Sequence, residues 1–314
     1  MLFVGLPFYV TLLVSAVCAY PVYKWLLAVK VRQTVSSHLP THQGKQGTPT
    51  MGGIIFVLGI TAGLITAAAK GEGSWWTVGL FAGFSLIGFV DDFVVPRMFP
   101  GKRGLGWMQK LGGQLLLGAL PSIAAKQMDP LSIGASIFLV LFFANAYNFA
   151  DGLDGLASLI GIFLFFGLGA LALTQTANGA SPDLHVASCV IAGLAIFLFL
   201  NAPPAKIFMG DVGSMGIGAL GGLITFQALF AGSTPMGQRP WLPVAVLSVV
   251  MLIELVPGPI QILSVKLRKK RIFPKTPIHH AFEDAGWPET RIVFTFAMVQ
   301  LLCTLIAINL MLKV

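Results

Sequence analysis

Two adjacent aspartates lie at the end of an apolar run of the sequence. Asp91 and Asp92 are neighbours there, and two carboxylates beside hydrocarbon repel each other and lose hydration. A divalent cation would relieve that repulsion, and a proton-transfer role would use the altered acidity. An ordinary polar helix end would produce the same pair, so the pair alone leaves three interpretations open.

A denser cluster of amides and acids fills residues 145–157, NAYNFADGLDGLA. On a helical turn, Asn148, Asp151 and Asp154 share one face because they are spaced three apart. The glycines that follow the acids let a ligand approach the backbone closely. A helix cap would account for one of the two aspartates. It would not account for both aspartates together with Asn145 and Asn148.

Asp211 lies in residues 201–214, NAPPAKIFMGDVGS, which begin with Asn201. An acid flanked by glycines suits Mg²⁺, which takes oxygen ligands and usually shares substrate phosphates. The alternative is that Asp211 caps the apolar helix that follows. Within that helix, Gly218 and Gly222 predict close packing against a neighbouring helix.

A basic and hydroxyl-rich segment covers residues 45–53, KQGTPTMGG. It offers the cation of Lys45, hydroxyls such as that of Thr50, and an exposed backbone, a combination that suits phosphate oxygens. A lysine that merely extends to the membrane surface is the plainer alternative for this segment taken alone.

Two adjacent histidines, His279 and His280, follow the basic run at residues 266–271. Together with that run they could bind an anionic headgroup. The spacing of His280 and Glu283 is weak evidence for a metal, and no third soft ligand is present, which argues against zinc.

The elements that must carry these residues are membrane helices. Of 314 residues, 56% are hydrophobic and 10% are charged, whereas a soluble domain has about a quarter of its residues charged. A spanning helix needs about 20 apolar residues, so we expect an all-α polytopic membrane protein with a single domain, 1–314. Ten spans are predicted near 3–21, 52–69, 75–90, 111–125, 131–147, 157–175, 185–201, 213–231, 241–263 and 292–312.

The charges orient these spans. Alternating loops put all but four of the 20 Lys and Arg residues on one side, which the positive-inside rule makes cytosolic, with both termini outside. The exceptions are Lys70, Lys126, Arg239 and Lys313. Cytosolic loops are predicted at about 22–51, 91–110, 148–156, 202–212 and 264–291. All the polar segments open onto that side, so we expect one active site there; the net charge of +8 indicates membrane orientation, not nucleic-acid binding.

Taken together, five strings resemble the phospho-N-acetylmuramoyl-pentapeptide-transferase family (MraY) of the polyprenyl-phosphate N-acetylhexosamine-1-phosphate transferase superfamily. They are GTPTMGG at 47–53, DD at 91–92, NAYNFADGLDGLA at 145–157, MGDVGS at 209–214 and PIHHAFEDAGWPE at 277–289, in family order. The resemblance implies an enzyme of the bacterial inner membrane that uses Mg²⁺. Such an enzyme transfers phospho-MurNAc-pentapeptide from UDP-MurNAc-pentapeptide to undecaprenyl phosphate, giving lipid I and UMP for peptidoglycan synthesis. Members are often homodimers.

The resemblance also implies roles for individual residues. Asp211 would bind Mg²⁺, Asp91 would deprotonate or position the lipid phosphate, and Asp92 would support the metal or the phosphates. His279 and His280 would complete the site. The substrate-binding set comprises Asn148, Asp151, Asp154 and Phe208 for the uridine, Lys45 near the nucleotide, Lys110 and Asn201 for the diphosphate, and also Thr50 and Asn145.

The chain departs from the family pattern at Ala281, where a third histidine is typical, and at Met108, where a second basic residue is frequent. Two alternatives stay open. A sister enzyme that transfers GlcNAc-1-phosphate would share the acidic motifs, although the GTPTMGG and PIHH strings favour the muramoyl-pentapeptide branch. A secondary transporter would need an ionisable group near the midplane, and only Glu254 qualifies, near the helix-breaking run at residues 257–259.

Overall fold

The computed structural model describes residues 5–29, 47–102, 104–174, 181–231 and 239–312, and within these ranges the structure is helical, without a β-strand. In chain order the helices are α1 (Leu6–Val29), α2 (Ile54–Ala69), α3 (Trp75–Phe89), α4 (Val95–Met98), α5 (Trp107–Gly118), α6 (Leu120–Ala124), α7 (Pro130–Ala150), α8 (Leu156–Thr174), α9 (Pro182–Asn201), α10 (Asp211–Phe226), α11 (Trp241–Leu247), α12 (Val249–Leu255), α13 (Pro257–Arg268), α14 (His279–Asp284) and α15 (Glu289–Leu312). Two π-helical segments, Val90–Val94 and Gln227–Ala231, continue α3 and α10.

Eight helical stretches in the described ranges are long and apolar enough to cross a membrane. They are Leu6–Val29, Trp75–Met98, Pro130–Ala150, Leu156–Thr174, Pro182–Asn201, Asp211–Phe230, Val249–Arg268 and Glu289–Leu312. The prediction of a polytopic helical membrane protein is confirmed. Of the ten predicted spans, the second is the apolar helix α2 of only 16 residues. The fourth is not a single helix: it divides at Ala119 into α5 and α6, because Pro121 lacks the backbone donor that a continuous helix would use.

The interior of the protein is organised around α10, whose residues from Val212 to Phe226 are all buried. Glycines allow this helix to touch its neighbours backbone to backbone. A Cβ at Gly218 would come within 2.5 Å of Ala144 Cα, and one at Gly222 within 2.5 Å of Val140 Cα, both on α7. The predicted close packing through these two glycines is therefore confirmed.

Several predicted boundaries were wrong. α1 continues to Val29, beyond the predicted end at 21, and the third span continues to Met98, beyond 90. Asp91 and Asp92 consequently lie within the π-helical segment, not at a helix end, because the apolar residues that follow them prolong the helix. The ninth span breaks before Pro257, as predicted, and also at Ser248, which was not predicted.

Contacts between helix ends divide the molecule into two faces. On one face, Gln127 Nε2 donates to Phe230 O at 2.7 Å, and His185 Nε2 lies 3.7 Å from a Glu72 carboxylate oxygen. On the other, the segment before α2 pairs with the segment before α10, where Gly52 N donates to Phe208 O at 2.7 Å. The acidic and histidine motifs all lie at this second face; that it is the cytosolic face stays a prediction.

Candidate active site

Lys110 joins two of the acids. Its Nζ lies 3.1 Å from Asp91 Oδ2 and also forms a short ion pair with Asp211 Oδ2. Asp91 comes from the π-helical segment, Lys110 from the first turn of α5, and Asp211 from the first residue of α10. The other oxygen of Asp91 accepts a hydrogen bond from Leu105 N at 2.6 Å, which holds the loop before α5 against the acid. Three distant segments thus converge on one ammonium group.

Asp92 contacts the start of α10. Its Oδ2 accepts hydrogen bonds from the backbone nitrogens of Asp211, at 2.8 Å, and Val212, at 3.5 Å. The first amides of a helix have no partner within it and carry partial positive charge, which a carboxylate stabilises. Asp92 therefore caps α10, and the Asp211 carboxylate, which sequence reasoning also considered as a cap, is directed instead towards Lys110.

The end of α7 is tied to the same helix terminus. Asn148 Nδ2 donates to Asp211 Oδ1 at 2.7 Å and to Ser214 Oγ at 2.9 Å. Asp151 Oδ2 accepts a hydrogen bond from Gly210 N at 3.1 Å. Gly210 has a φ of 74°, a conformation that favours glycine, and this turns the chain into α10. Asn148 thus holds the oxygen of Asp211 that does not pair with Lys110, and Asp151 holds the residue before Asp211.

Burial and neighbouring charges alter the acidity of two groups outside the spanning helices. Burial lowers the pKa of Lys110, but the carboxylates of Asp211 and Asp91 outweigh that effect and hold the pKa above its usual value, so the ammonium stays charged. Burial raises the pKa of Asp151 to about 7, opposed by the Gly210 hydrogen bond and assisted by the Asp211 charge. Asp151 therefore titrates near neutrality.

Asp154 and Asn201 form hydrogen bonds to neighbouring loops. Asp154 Oδ2 accepts from Ala205 N at 2.9 Å. Asn201 Oδ1 accepts from Gly155 N at 3.1 Å, while its Nδ2 donates to Ile207 O at 3.0 Å. The predicted stripe of three side chains was wrong at Asp154, because α7 ends at Ala150 and the turn that follows directs this acid to another loop.

The remaining predicted binding residues occupy two places. Asn145 Nδ2 donates to Gln114 Oε1 on α5 at 3.1 Å. Thr50 and Phe208 lie in the two segments that pair before α2 and α10, where Phe208 N donates to Pro49 O at 2.8 Å. Lys45 lies outside the described residues.

The two adjacent histidines, His279 and His280, have different environments. His279 is fully buried, and its Nδ1 lies 2.9 Å from Glu254 Oε2. His280 is partly exposed, and its Nδ1 lies 2.5 Å from Glu283 Oε2. Burial lowers the pKa of His280 below 6.5, partly offset by Glu283, so the ring is neutral at pH 7. The spacing of His280 and Glu283 thus reflects a hydrogen bond within α14.

Two partners in this region were not predicted as site residues. Gln114 is buried on α5, and the signal that could have identified it is its position four residues after Lys110, which puts both side chains on one helix face. Glu254 was interpreted as a helix–helix contact near the proline break and, alternatively, as a candidate for transport; its sequence position gives no sign of the histidine that it contacts.

Asp91, Asp92 and Asp211 together form a set of oxygen donors. One oxygen atom from each carboxylate lies within 4.8 Å of the other two. Oxygen ligands are those that Mg²⁺ prefers, whereas the described residues add no cysteine or histidine to this set, as zinc would favour. Lys110 contributes one positive charge against three acids, which leaves acid in excess. The residues therefore fit a divalent hard cation.

Comparison with known proteins gives the class of protein and its family. The protein-family model for glycosyl transferase family 4 matches residues 74–229, a range that contains the acidic centre and Lys110. The fold and site thus define a membrane-embedded phosphosugar transferase. A second model, phospho-N-acetylmuramoyl-pentapeptide-transferase signature 1, matches residues 45–57.

Individual relatives give the family. The phospho-N-acetylmuramoyl-pentapeptide-transferase of Moorella thermoacetica is 35% identical, over 97% of this chain and 98% of the relative. The Helicobacter pylori protein of the same name is 31% identical, over 97% and 92%. That of Heliobacterium modesticaldum is 35% identical, over 90% of each chain. The chain belongs to the phospho-N-acetylmuramoyl-pentapeptide-transferase family.

Proposed function

We propose that the carboxylate cluster at Asp91, Asp92 and Asp211 is the centre of phosphosugar transfer in this protein. The reaction moves phospho-MurNAc-pentapeptide from UDP-MurNAc-pentapeptide to undecaprenyl phosphate and gives lipid I and UMP. An oxygen of the lipid phosphate forms a bond to the β-phosphorus of the nucleotide-sugar, and the bond from that phosphorus to the UMP oxygen breaks, so that UMP leaves with the electron pair.

The observation that carries this proposal is the bridge from Lys110 to Asp91 and Asp211. Phosphoryl transfer depends on charge neutralisation and positioning more than on covalent help from the protein. A charged lysine held between two carboxylates supplies a fixed positive charge for phosphate oxygens, and it sits beside an oxygen-donor set. That combination is what the transfer of a phosphosugar between two anions requires.

The residues divide the work. Asp211, with Asp91 and Asp92, would hold Mg²⁺, which when bound neutralises charge on the diphosphate. Asp91 positions or deprotonates the lipid phosphate, and Lys110 contacts the diphosphate. Asn148 and Asp151 hold the uridine side of the nucleotide. Phe208, half-buried beside the turn into α10, stacks on the uracil ring.

The protein is a multi-pass protein of the bacterial inner membrane, with the site at its cytosolic face. The excess of lysine and arginine in the loops at that face supports this orientation. Two further crossings, through α2 and through the predicted span at 111–125, would complete ten and leave both termini outside. A helix of 16 residues is about 24 Å long, somewhat short of the hydrocarbon thickness. Association into homodimers stays a prediction.

The test is release of UMP from UDP-MurNAc-pentapeptide by purified protein with undecaprenyl phosphate and Mg²⁺. We expect release that needs both lipid and metal and that is lost in Asp211→Asn. The matched control is Asp284→Asn, an exposed acid of the same face that pairs with Lys275. Turnover of UDP-GlcNAc in place of the muramoyl donor would assign the protein to the sister branch.

A second measurement addresses the metal without catalysis. A ligand that binds only the folded state raises its melting temperature. Mg²⁺ should therefore raise the melting temperature of the wild-type protein and of Asp284→Asn, but raise that of Asp211→Asn less. An equal rise in all three proteins would place the metal elsewhere.

A further inference from the structure

Glu254 and His279 form a fully buried pair, each with a relative exposure of 0%. Glu254 Oε2 lies 2.9 Å from His279 Nδ1. Glu254 belongs to α12, three residues before Pro257 begins α13, and His279 is the first residue of α14. The contact therefore joins the break in a membrane helix to the segment that carries the histidine motif.

Each side chain in this pair keeps one buried atom without a hydrogen-bond partner among the described residues. These atoms are Glu254 Oε1 and His279 Nε2. An unpaired buried polar atom costs about 1–3 kcal/mol, and apolar side chains of similar volume often replace a buried ion pair without loss of stability. The Glu254–His279 pair is thus not explained by folding stability alone, which favours a role in the candidate active site.

The unpartnered nitrogen of the imidazole faces the loop between α7 and α8. A Cβ at position 152 would overlap His279 Nε2, so the ring reaches this loop only because Gly152 has no side chain. Asp151 precedes that glycine and accepts a hydrogen bond from Gly210 N, immediately before Asp211. His279 Nε2 therefore lies against the backbone that carries the residues proposed to bind the nucleotide.

We propose that Glu254 is a positioning residue of the transfer site, which acts by holding the His279 ring and directing its proton. A carboxylate only accepts hydrogen bonds, so it requires the proton on Nδ1. Nε2, which lies against the loop at Gly152, is then left as a hydrogen-bond acceptor. The proposal rests on the proposed function, since it assigns Glu254 to the same site, and it accounts for this buried acid without a transport pathway.

The decisive variant is Glu254→Gln. The amide keeps the volume and a hydrogen bond, but it can donate as well as accept and so permits the wrong tautomer of His279. Replacement of the carboxylate by an amide beside a catalytic histidine costs up to about 10⁴-fold in the serine proteases. We expect kcat for UMP release to fall at least about 10-fold, with the KM for UDP-MurNAc-pentapeptide unchanged.

A second variant, Glu254→Asp, separates positioning from packing. It keeps the carboxylate but loses a methylene, so a role in packing predicts that Asp is worse than Gln. A role in directing the proton predicts the reverse order, with kcat higher for Asp than for Gln. A Gln variant that is faster than the Asp variant would overturn the proposal.

A double variant tests whether Glu254 acts through His279. If it does, Glu254→Gln costs little further in a His279→Gln background, because effects that run through one group are not additive. The matched control is Gln300→Leu on α15, a fully buried polar residue that also keeps an unpartnered oxygen and whose Nε2 donates a hydrogen bond to Leu247 O at 3.2 Å. We expect this control to leave kcat unchanged.

Failure of this inference is distinguishable from failure of the proposed function. A wild-type protein that releases no UMP from either nucleotide-sugar would refute the proposed function and this inference with it. An active wild-type protein whose Glu254→Gln variant keeps its kcat, or whose double variant is fully additive, would refute the inference alone. Melting temperatures of all variants show whether each one is folded when it is assayed.

Discussion

The backbone nitrogen of Asp211 donates a hydrogen bond of 2.8 Å to the carboxylate of Asp92. Because that nitrogen belongs to the first turn of α10, an acid from one membrane helix caps another. A glycine at position 88 makes the approach possible, since a Cβ there would overlap Asp211 O. One acid of the adjacent pair thus sets the position of the third acid in the cluster.

Substitutions at Asp92 should separate capping from chemistry. An asparagine still offers an oxygen to the amides of α10, whereas an alanine leaves them without this acceptor, at a cost of about 0.5–2 kcal/mol. We expect Asp92→Asn to melt near the wild-type temperature, Asp92→Ala to melt lower, and both to lose UMP release. Thermal unfolding and the UMP assay check this, and an alanine variant as stable as wild type would contradict the cap.

Loss of the positive charge at Lys110 should abolish most of the activity. Lys110→Gln removes the cation that bridges Asp91 and Asp211, and a missing donor of this kind typically costs about 10²–10³-fold in kcat. The control is Lys102→Gln, an exposed lysine of the same connection that lies over the Phe99 ring. Steady-state UMP release from both variants decides the matter; equal rates would remove Lys110 from the site.

The sequence was sufficient to predict that the acidic motifs meet. Charge asymmetry placed their loops on one side, and the bonds from Asp211 to Lys110 and Asn148 confirm the convergence. Break points at prolines were predictable for the same kind of reason, because a missing backbone donor is visible in the chain itself. The break before Pro257 was predicted in this way. The break at Ala119 was missed although Pro121 gives the same signal, and the break at Ser248 has no such signal.

What the sequence could not supply was the choice of partner for each polar group. Asp154 and Asn201 have the residue types of ligand contacts, yet their side chains are engaged in bonds to Ala205 N and Ile207 O. Glu254 lies 25 positions before His279, and their contact depends on where the helix break directs the chain. Such pairings arise from tertiary packing, and residue type and spacing do not encode them.

The stability of the protein should depend on pH through Asp151. Burial raises the folded-state pKa of Asp151 from 3.8 to about 7, so its protonated form favours the fold. That contribution is complete below about pH 4, where the unfolded chain is also protonated, and is lost as the pH rises towards and through 7. Asp151→Asn imitates the protonated acid and retains an oxygen for Gly210 N.

We therefore expect the melting temperature of Asp151→Asn to exceed that of the wild type by a margin that grows between pH 4.5 and 7 and then levels off. The measurement is thermal unfolding across this range in EDTA, so that metal binding does not contribute. A margin that is constant with pH would mean that Asp151 is ionised in the folded protein at all these values.

The contact between α10 and α7 should tolerate no added side chain. Gly218→Ala would place a Cβ against Phe143 O and Ala144 Cα, backbone atoms that cannot rotate away, and overpacking of this kind costs about 1–3 kcal/mol. The matched control is Gly134→Ala on α7, where a Cβ meets nothing within 4 Å. Alanine is the better helix former by about 1 kcal/mol, so the control should be neutral or stabilising.

The same substitution should also affect activity, because α10 carries Asp211 at its first residue. A shift of α10 that relieves the clash also moves this acid relative to Lys110, so Gly218→Ala should lose UMP release as well as melt at a lower temperature. A variant that melts lower but turns over normally would mean that the start of α10 is held by Asp92 and Asn148 independently of its packing further along the helix.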